Sequence, residues 1–257
     1  MRMLRSLGWA ALGTGFTFLM TTLGAATVFF FSGEPQPKFQ KAMLGFAAGV
    51  MTAASVWSLL LPAIDQALAE GPLPGWLPAA AGMLLGVVFL AVLDSLLPRL
   101  RRVPREDWRQ NTLLMTAITL HNVPEGMAVG LAFALAAGGE GLAGAAALAM
   151  GIGIQNFPEG AAISLPLRQE GFSRRRAFWG GTLSGSVEPV FGVLVVLAAG
   201  AVHPLMPWLL SFAAGAMLYV VVEELIPEMS QGQHSNIGTV FFAVGFSVMM
   251  VLDVALG

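Results

Sequence analysis

The sequence contains no cysteine. Disulfides, thiolate metal sites and cysteine nucleophiles are therefore excluded, and any metal site must use His, carboxylate, amide or Met ligands. Charge is also scarce. Only 11% of the 257 residues are charged, against roughly 25% in an average soluble domain. That is too few polar groups to cover a soluble globule of this size. There is no basic face or arm of the kind that nucleic-acid binding requires, and the net charge of −2 points to no particular partner. What the chain does have is apolar residues, 56% of the total, arranged in long runs. A run of about 20 crosses the hydrocarbon core as a helix, the form that satisfies its own backbone polar groups in lipid.

The runs predict an all-α, polytopic membrane protein with eight transmembrane spans, over residues 8–31, 41–62, 77–97, 112–137, 142–165, 178–201, 206–226 and 237–256. The connections are short and carry Gly, Pro and charge, so residues 1–257 read as a single transmembrane domain. The loops after spans 1, 3, 5 and 7 share one side and hold eleven of the thirteen basic residues, among them Lys38, Arg99, Arg105, Arg168 and Arg174. The other side has only Arg2 and Arg5. This bias makes the rich side cytoplasmic and puts both termini outside. The first apolar run is too long for an ordinary signal-peptide core, and its removal would reverse the charge bias, so it is expected to remain as a span.

Ionisable groups inside spans are costly and mark function by default. Glu125, Glu159, Glu188, Glu223, Glu224 and His121 fall well inside them; Asp65, Asp94 and Asp253 lie near span ends. One buried Glu would be as well explained by a structural hydrogen bond between helices. Six such groups, with no Lys or Arg inside a span to pair with them, must be protonated, hydrated or matched by a bound cation.

Span 4 carries His121-Asn122-Val123-Pro124-Glu125-Gly126 and span 5 carries Gln155-Asn156-Phe157-Pro158-Glu159-Gly160. The shared pattern is [HQ]-N-x-P-E-G. Residues four apart lie on one helix face, so His121 pairs with Glu125 and Gln155 with Glu159, flanked by Asn122 and Asn156. Two such faces turned together offer one imidazole, three amides and two carboxylates, a donor set suited to Zn²⁺, Fe²⁺, Mn²⁺ or Cd²⁺. Pro124 and Pro158 each free a backbone carbonyl and predict a kinked or broken helix at mid-membrane. The Gly after each Glu permits close helix approach. Glu188, in Ser184-Gly185-Ser186-Val187-Glu188-Pro189, repeats the Glu-near-Pro theme. Met51 offers a thioether, although among 14 Met packing is its ordinary role.

At these residues the sequence resembles the ZIP (Zrt/Irt-like protein) family of divalent metal transporters, its bacterial branch in particular. Further matches are the Glu188-Pro189 pair, Glu223-Glu224-Leu225-Ile226-Pro227-Glu228 in span 7, and the closing Leu252-Asp253-Val254-Ala255-Leu256-Gly257. The resemblance covers nearly the whole chain. It implies two inverted three-helix repeats, spans 1–3 and 6–8, around a central span 4–5 pair, with a two-metal site at mid-membrane. One metal would be held by Met51, His121, Gln155 and Glu159 with Glu125 nearby. The second would use Asn122, Glu125, Asn156, Glu159 and Glu188. Ser58 and Asp65 match positions along an outer entrance; Glu223 and Glu224, followed by Glu228, lie toward an inner exit. The sequence departs from the family pattern at three points. Asn156 stands where many members have Asp, Glu223 stands where some have His, and loop 99–110 has no His.

The expectation is a multi-pass protein of a bacterial inner membrane that moves divalent metal, Zn²⁺ or else Cd²⁺, Fe²⁺ or Mn²⁺, into the cytoplasm by alternating access. Its partners would be the ions and the lipid bilayer. Small-residue runs such as 141–149 also permit close packing in a homodimer. An intramembrane metalloprotease would need His-Glu-x-x-His, and His121 has no second His on its face, so an enzyme is not expected. A cation channel using the same ligands stays open at this level.

Overall fold

In a computed structural model the architecture is wholly helical among the described residues, which are 2–30, 37–70, 73–100, 122–136, 141–169, 171–202, 205–233 and 235–256. Helix α1 (Arg2–Ala26) runs into a 3-10 turn, Thr27–Phe29. Helix α2 (Pro37–Ala54) passes through a π-helical stretch, Ser55–Leu60, into α3 (Leu61–Glu70). Next come α4 (Trp76–Leu100), α5 (Asn122–Ala136) and α6 (Leu142–Gln169). Helices α7 (Arg174–Gly185) and α8 (Val187–Val202) follow. Helix α9 (Met206–Val220) continues through a second π stretch, Val221–Leu225, into α10 (Ile226–Ser230), and α11 (Ile237–Leu256) completes the set.

Six helical runs are long and apolar enough to cross a membrane: Met3–Phe29, Pro37–Ala69, Trp76–Leu96, Arg174–Ala198, Met206–Ser230 and Ile237–Ala255. They coincide with expected spans 1, 2, 3, 6, 7 and 8, and the chain is a polytopic membrane protein. Helix α6 takes the place of span 5. Its 28 residues reach roughly 42 Å at about 1.5 Å per residue, but its polar hexamer separates it from the six by composition. Helix α5 is the later part of span 4; residues 112–121, His121 included, lie outside the described set.

Helix α6 runs through Pro158 without a break; the proline's missing N–H removes one rung of the ladder there. The departures from α geometry are elsewhere. Span 6 tightens into a single turn at Ser186, whose N–H bonds the Leu183 carbonyl while its backbone stays in the right-handed helical region, and continues as α8 with Glu188 in its first turn. Spans 2 and 7 each switch to π geometry, with the N–H of Leu61 bonding the Val56 carbonyl and that of Ile226 the Val221 carbonyl. Stretches of this kind are rare and recur at functional sites.

The two π stretches belong to a repeated unit. Phe46-Ala47-Ala48-Gly49-Val50-Met51 in α2 recurs as Phe212-Ala213-Ala214-Gly215-Ala216-Met217 in α9. In both copies the π stretch begins four residues after the Met and is followed by a proline, Pro62 or Pro227. Packing repeats as well. A Cβ on Gly49 would strike the Phe242 carbonyl of α11, and one on Gly245 the Phe46 carbonyl. In the same way, a Cβ on Gly215 would strike the Met83 carbonyl of α4, and one on Gly86 the Phe212 carbonyl. The α2–α11 and α9–α4 pairs are therefore built alike, with glycines admitting a partner backbone at close range.

A second body packs around α1, which lies against α6, α7 and α8, while α2 and α11 also touch α6. Gly160 of α6 sits on the Thr21 carbonyl of α1, and Gly126 of α5 on the Glu188 backbone of α8. These are the glycines that close the two hexamers. Their missing side chains draw α1 onto α6 and α8 onto α5, which carries Glu188 to the hexamers.

Candidate metal site

Asn122, Glu125 and Asn156 are completely buried and Gln155 almost so; Glu188 is buried with them. The Gln155 amide donates to Glu125 Oε1 at 2.6 Å, linking α6 to α5. The Asn156 amide donates to both oxygens of Glu188, at 2.9 and 3.0 Å, linking α6 to α8. The carboxylates of Glu125, Glu159 and Glu188 lie close enough to act electrostatically on one another, and Glu159 also feels Glu224. The structure thus brings five of the sequence-chosen residues, Glu125, Gln155, Asn156, Glu159 and Glu188, into one cluster. Asn122 adjoins it on α5, two residues before Pro124.

Among the described residues, nine buried side-chain nitrogen and oxygen atoms have no hydrogen-bond partner within the protein. Six belong to the hexamers: Asn122 Oδ1 and Nδ2, Glu125 Oε2, Gln155 Oε1, Asn156 Oδ1 and Glu159 Oε1. An unpaired buried polar atom costs roughly 1–3 kcal/mol, so native proteins seldom gather several in one place without bound water or a ligand to satisfy them. Five of the six are oxygens, a hard donor set for a divalent cation. No group of three or more His, Cys, Asp or Glu suited to a metal occurs among the described residues. Among the described residues, carboxylates stand here together with amides; His121 lies outside the described residues. Met51 is buried in α2, which packs on α6.

Sequence reasoning missed the support from α1. Thr14, Thr17 and Thr21 are all fully buried and form a stripe three and four residues apart. Thr21 Oγ1 reaches Glu188 Oε1 at 3.5 Å, and the Thr17 carbonyl lies 3.4 Å from the Asn156 amide. The spacing of the stripe was the available signal.

The expected pathway residues fall at two separate places. Ser58, inside the first π stretch, donates to Asp253 Oδ1 of α11 at 2.6 Å, while Asp253 Oδ2 is buried without a partner. Asp65 is exposed on α3. Glu223 and Glu224 occupy the second π stretch, near Asp94 of α4, which accepts from Tyr219 Oη at 3.4 Å. Glu228 is exposed and accepts from Gln231 at 2.8 Å and Gln40 at 3.4 Å. In sequence Asp94 is a span-end acid and Asp253 is one within the closing motif; the fold sets each beside an expected pathway residue.

Comparison with known proteins accords with this arrangement. The family profile described as ZIP zinc transporter matches residues 109–253, which include both hexamers. The chain is 39% identical to zinc transporter ZIP11 of Bos taurus, over 96% of this chain and 97% of that protein. It is also 39% identical to zinc transporter GufA of Myxococcus xanthus, over 92% and 94%, and to zinc transporter ZIPB of Bordetella bronchiseptica, over 97% and 82%. The likeness extends to animal and bacterial proteins alike, beyond the bacterial branch. With the paired hexamers, the buried polar cluster and this coverage together, the chain belongs to the ZIP zinc transporter family.

Proposed function

We propose that this protein carries divalent metal ions, zinc foremost, across the membrane and into the cytoplasm, with the paired hexamers as the cargo site. The observation that supports this best is the concentration of unpartnered buried donors in Asn122, Glu125, Gln155, Asn156 and Glu159. His121 and Met51 complete the shell. A hydrated ion enters past Asp65, Asp253 and Ser58, exchanges water for these ligands, and leaves past Glu224, Glu223 and Glu228. Cd²⁺, Fe²⁺ and Mn²⁺ suit the same oxygen and nitrogen donors, so the site selects among first-row and related ions by geometry as well as by donor type.

The matching α2–α11 and α9–α4 pairs support a layout of two inverted repeats, spans 1–3 and 6–8, around α5 and α6. Opposed running directions set the Ser58 break toward the outer face and the Glu223–Glu224 break toward the inner one. With span 4 completed by residues 112–121, the layout has eight spans, cytoplasmic arginine loops and both termini outside. In a bacterium the membrane is the inner one. The test is uptake into proteoliposomes with competing Zn²⁺, Cd²⁺, Fe²⁺ and Mn²⁺. A carrier gives saturable zinc uptake that the ions it accepts inhibit; flux that rises linearly with zinc and ignores competitors would overturn the carrier mechanism.

A further inference from the structure

The resemblance to the family assigns Glu188 to a second metal beside the first, yet Glu188 differs here from the other carboxylates of the cluster. Glu125 and Glu159 each keep a buried oxygen with no partner. Glu188 keeps none: Asn156 Nδ2 donates to both of its oxygens at 2.9 and 3.0 Å, and Thr21 adds a hydroxyl contact from α1 at 3.5 Å. It also lies in the first turn of the 16-residue helix α8, where the helix dipole favours a negative charge. Both oxygens of Glu188 are thus hydrogen-bonded within this chain.

Charge counting agrees. Metal ligands bind as carboxylates, so Glu125, Glu159 and Glu188 contribute three negative charges. One divalent ion balances Glu125 and Glu159 and leaves Glu188 to its internal donors. Two ions would leave one uncompensated positive charge in a buried site, which is costly. An Asp at position 156 would restore the balance at four against four, and would replace the donating amide with another acceptor.

We propose that Asn156 withdraws Glu188 from metal binding, so that the mid-membrane site holds one divalent ion at a time and the second position is closed from within. The inference rests on the hexamers being the cargo site. The amide–carboxylate pair then acts as a tie between α6 and α8, and Asn156 sets the stoichiometry of the site.

The test counts zinc on the full chain in lipid nanodiscs by elemental analysis after equilibrium dialysis. The count for a Glu125→Ala/Glu159→Ala double variant is subtracted to remove ions bound at the entrance and exit. The expected hexamer-dependent count is one for the wild type and for Glu188→Gln, two for Asn156→Asp, and one again for Asn156→Asp/Glu188→Gln. A wild-type count of two that falls to one in Glu188→Gln overturns the proposal while leaving the cargo site intact, as does a count of one in folded Asn156→Asp. A wild-type count of zero removes the cargo site itself, and the proposal with it. Should Asn156→Asp fail to fold, the wild type and Glu188→Gln decide the matter alone.

Discussion

At the scale of single residues, absent side chains shape the site as much as the ligands do. Gly160 and Gly126 contribute no donor, yet they set how closely α1 and α8 approach the hexamers. A Cβ at Gly160 would meet backbone atoms of Thr21 and Ala25, which cannot swing aside as a flexible side chain can. Gly160→Ala should therefore cost about 1–3 kcal/mol, as overpacked sites do, and lower the thermal unfolding temperature in detergent. Gly15→Ala is the control: nothing lies within 4 Å of a Cβ there, and its unfolding temperature should match the wild type or rise slightly with the better helix propensity of Ala. Equal effects of the two substitutions would contradict the packing described. The hexamer residues were legible in sequence because a polar motif recurring in apolar spans stands out. The α1 threonines were not, because a hydroxyl that bonds its own helix costs little in a membrane span and gives no sign of its second partner, Glu188.

At the scale of helices, the repeated Phe-Ala-Ala-Gly-x-Met unit implies that corresponding positions in the two halves carry corresponding loads. Gly49 and Gly215 each face a carbonyl of the neighbouring helix. Gly49→Val and Gly215→Val should lower the unfolding temperature by similar amounts. As the two sites serve different helix pairs, their effects should add within roughly 0.5 kcal/mol. A large loss from one and none from the other would show that the halves are not built alike. Six of the spans could be placed from apolar length alone. Their interruptions could not. The π stretches at Ser55–Leu60 and Val221–Leu225 depend on which backbone donor finds which carbonyl, and hydropathy does not report that. The tightened turn at Ser186 comes three residues before Pro189, while Pro158 leaves α6 unbroken. A proline identifies a freed carbonyl and no more.

At the scale of the whole molecule, the absence of cysteine makes the topology directly testable, since any introduced thiol is unique. Leu73 and Leu142 are exposed at the ends of expected outer loops, and Gln231 is exposed on the expected inner side. Single Leu73→Cys and Leu142→Cys variants should react with an impermeant maleimide on intact cells, and Gln231→Cys only after the membrane is opened. The reverse pattern would invert the orientation argued from the arginine loops, and Leu142→Cys and Leu73→Cys on opposite sides would break the eight-span count. The central claim is that the paired hexamers carry the ion, and purified protein in proteoliposomes measures it most directly. Radiolabelled zinc uptake by wild type should saturate, and a folded Glu125→Ala/Glu159→Ala double variant should lose at least about tenfold in initial rate, the scale of a ~1.4 kcal/mol change. Uptake by that variant at the wild-type rate would contradict the account.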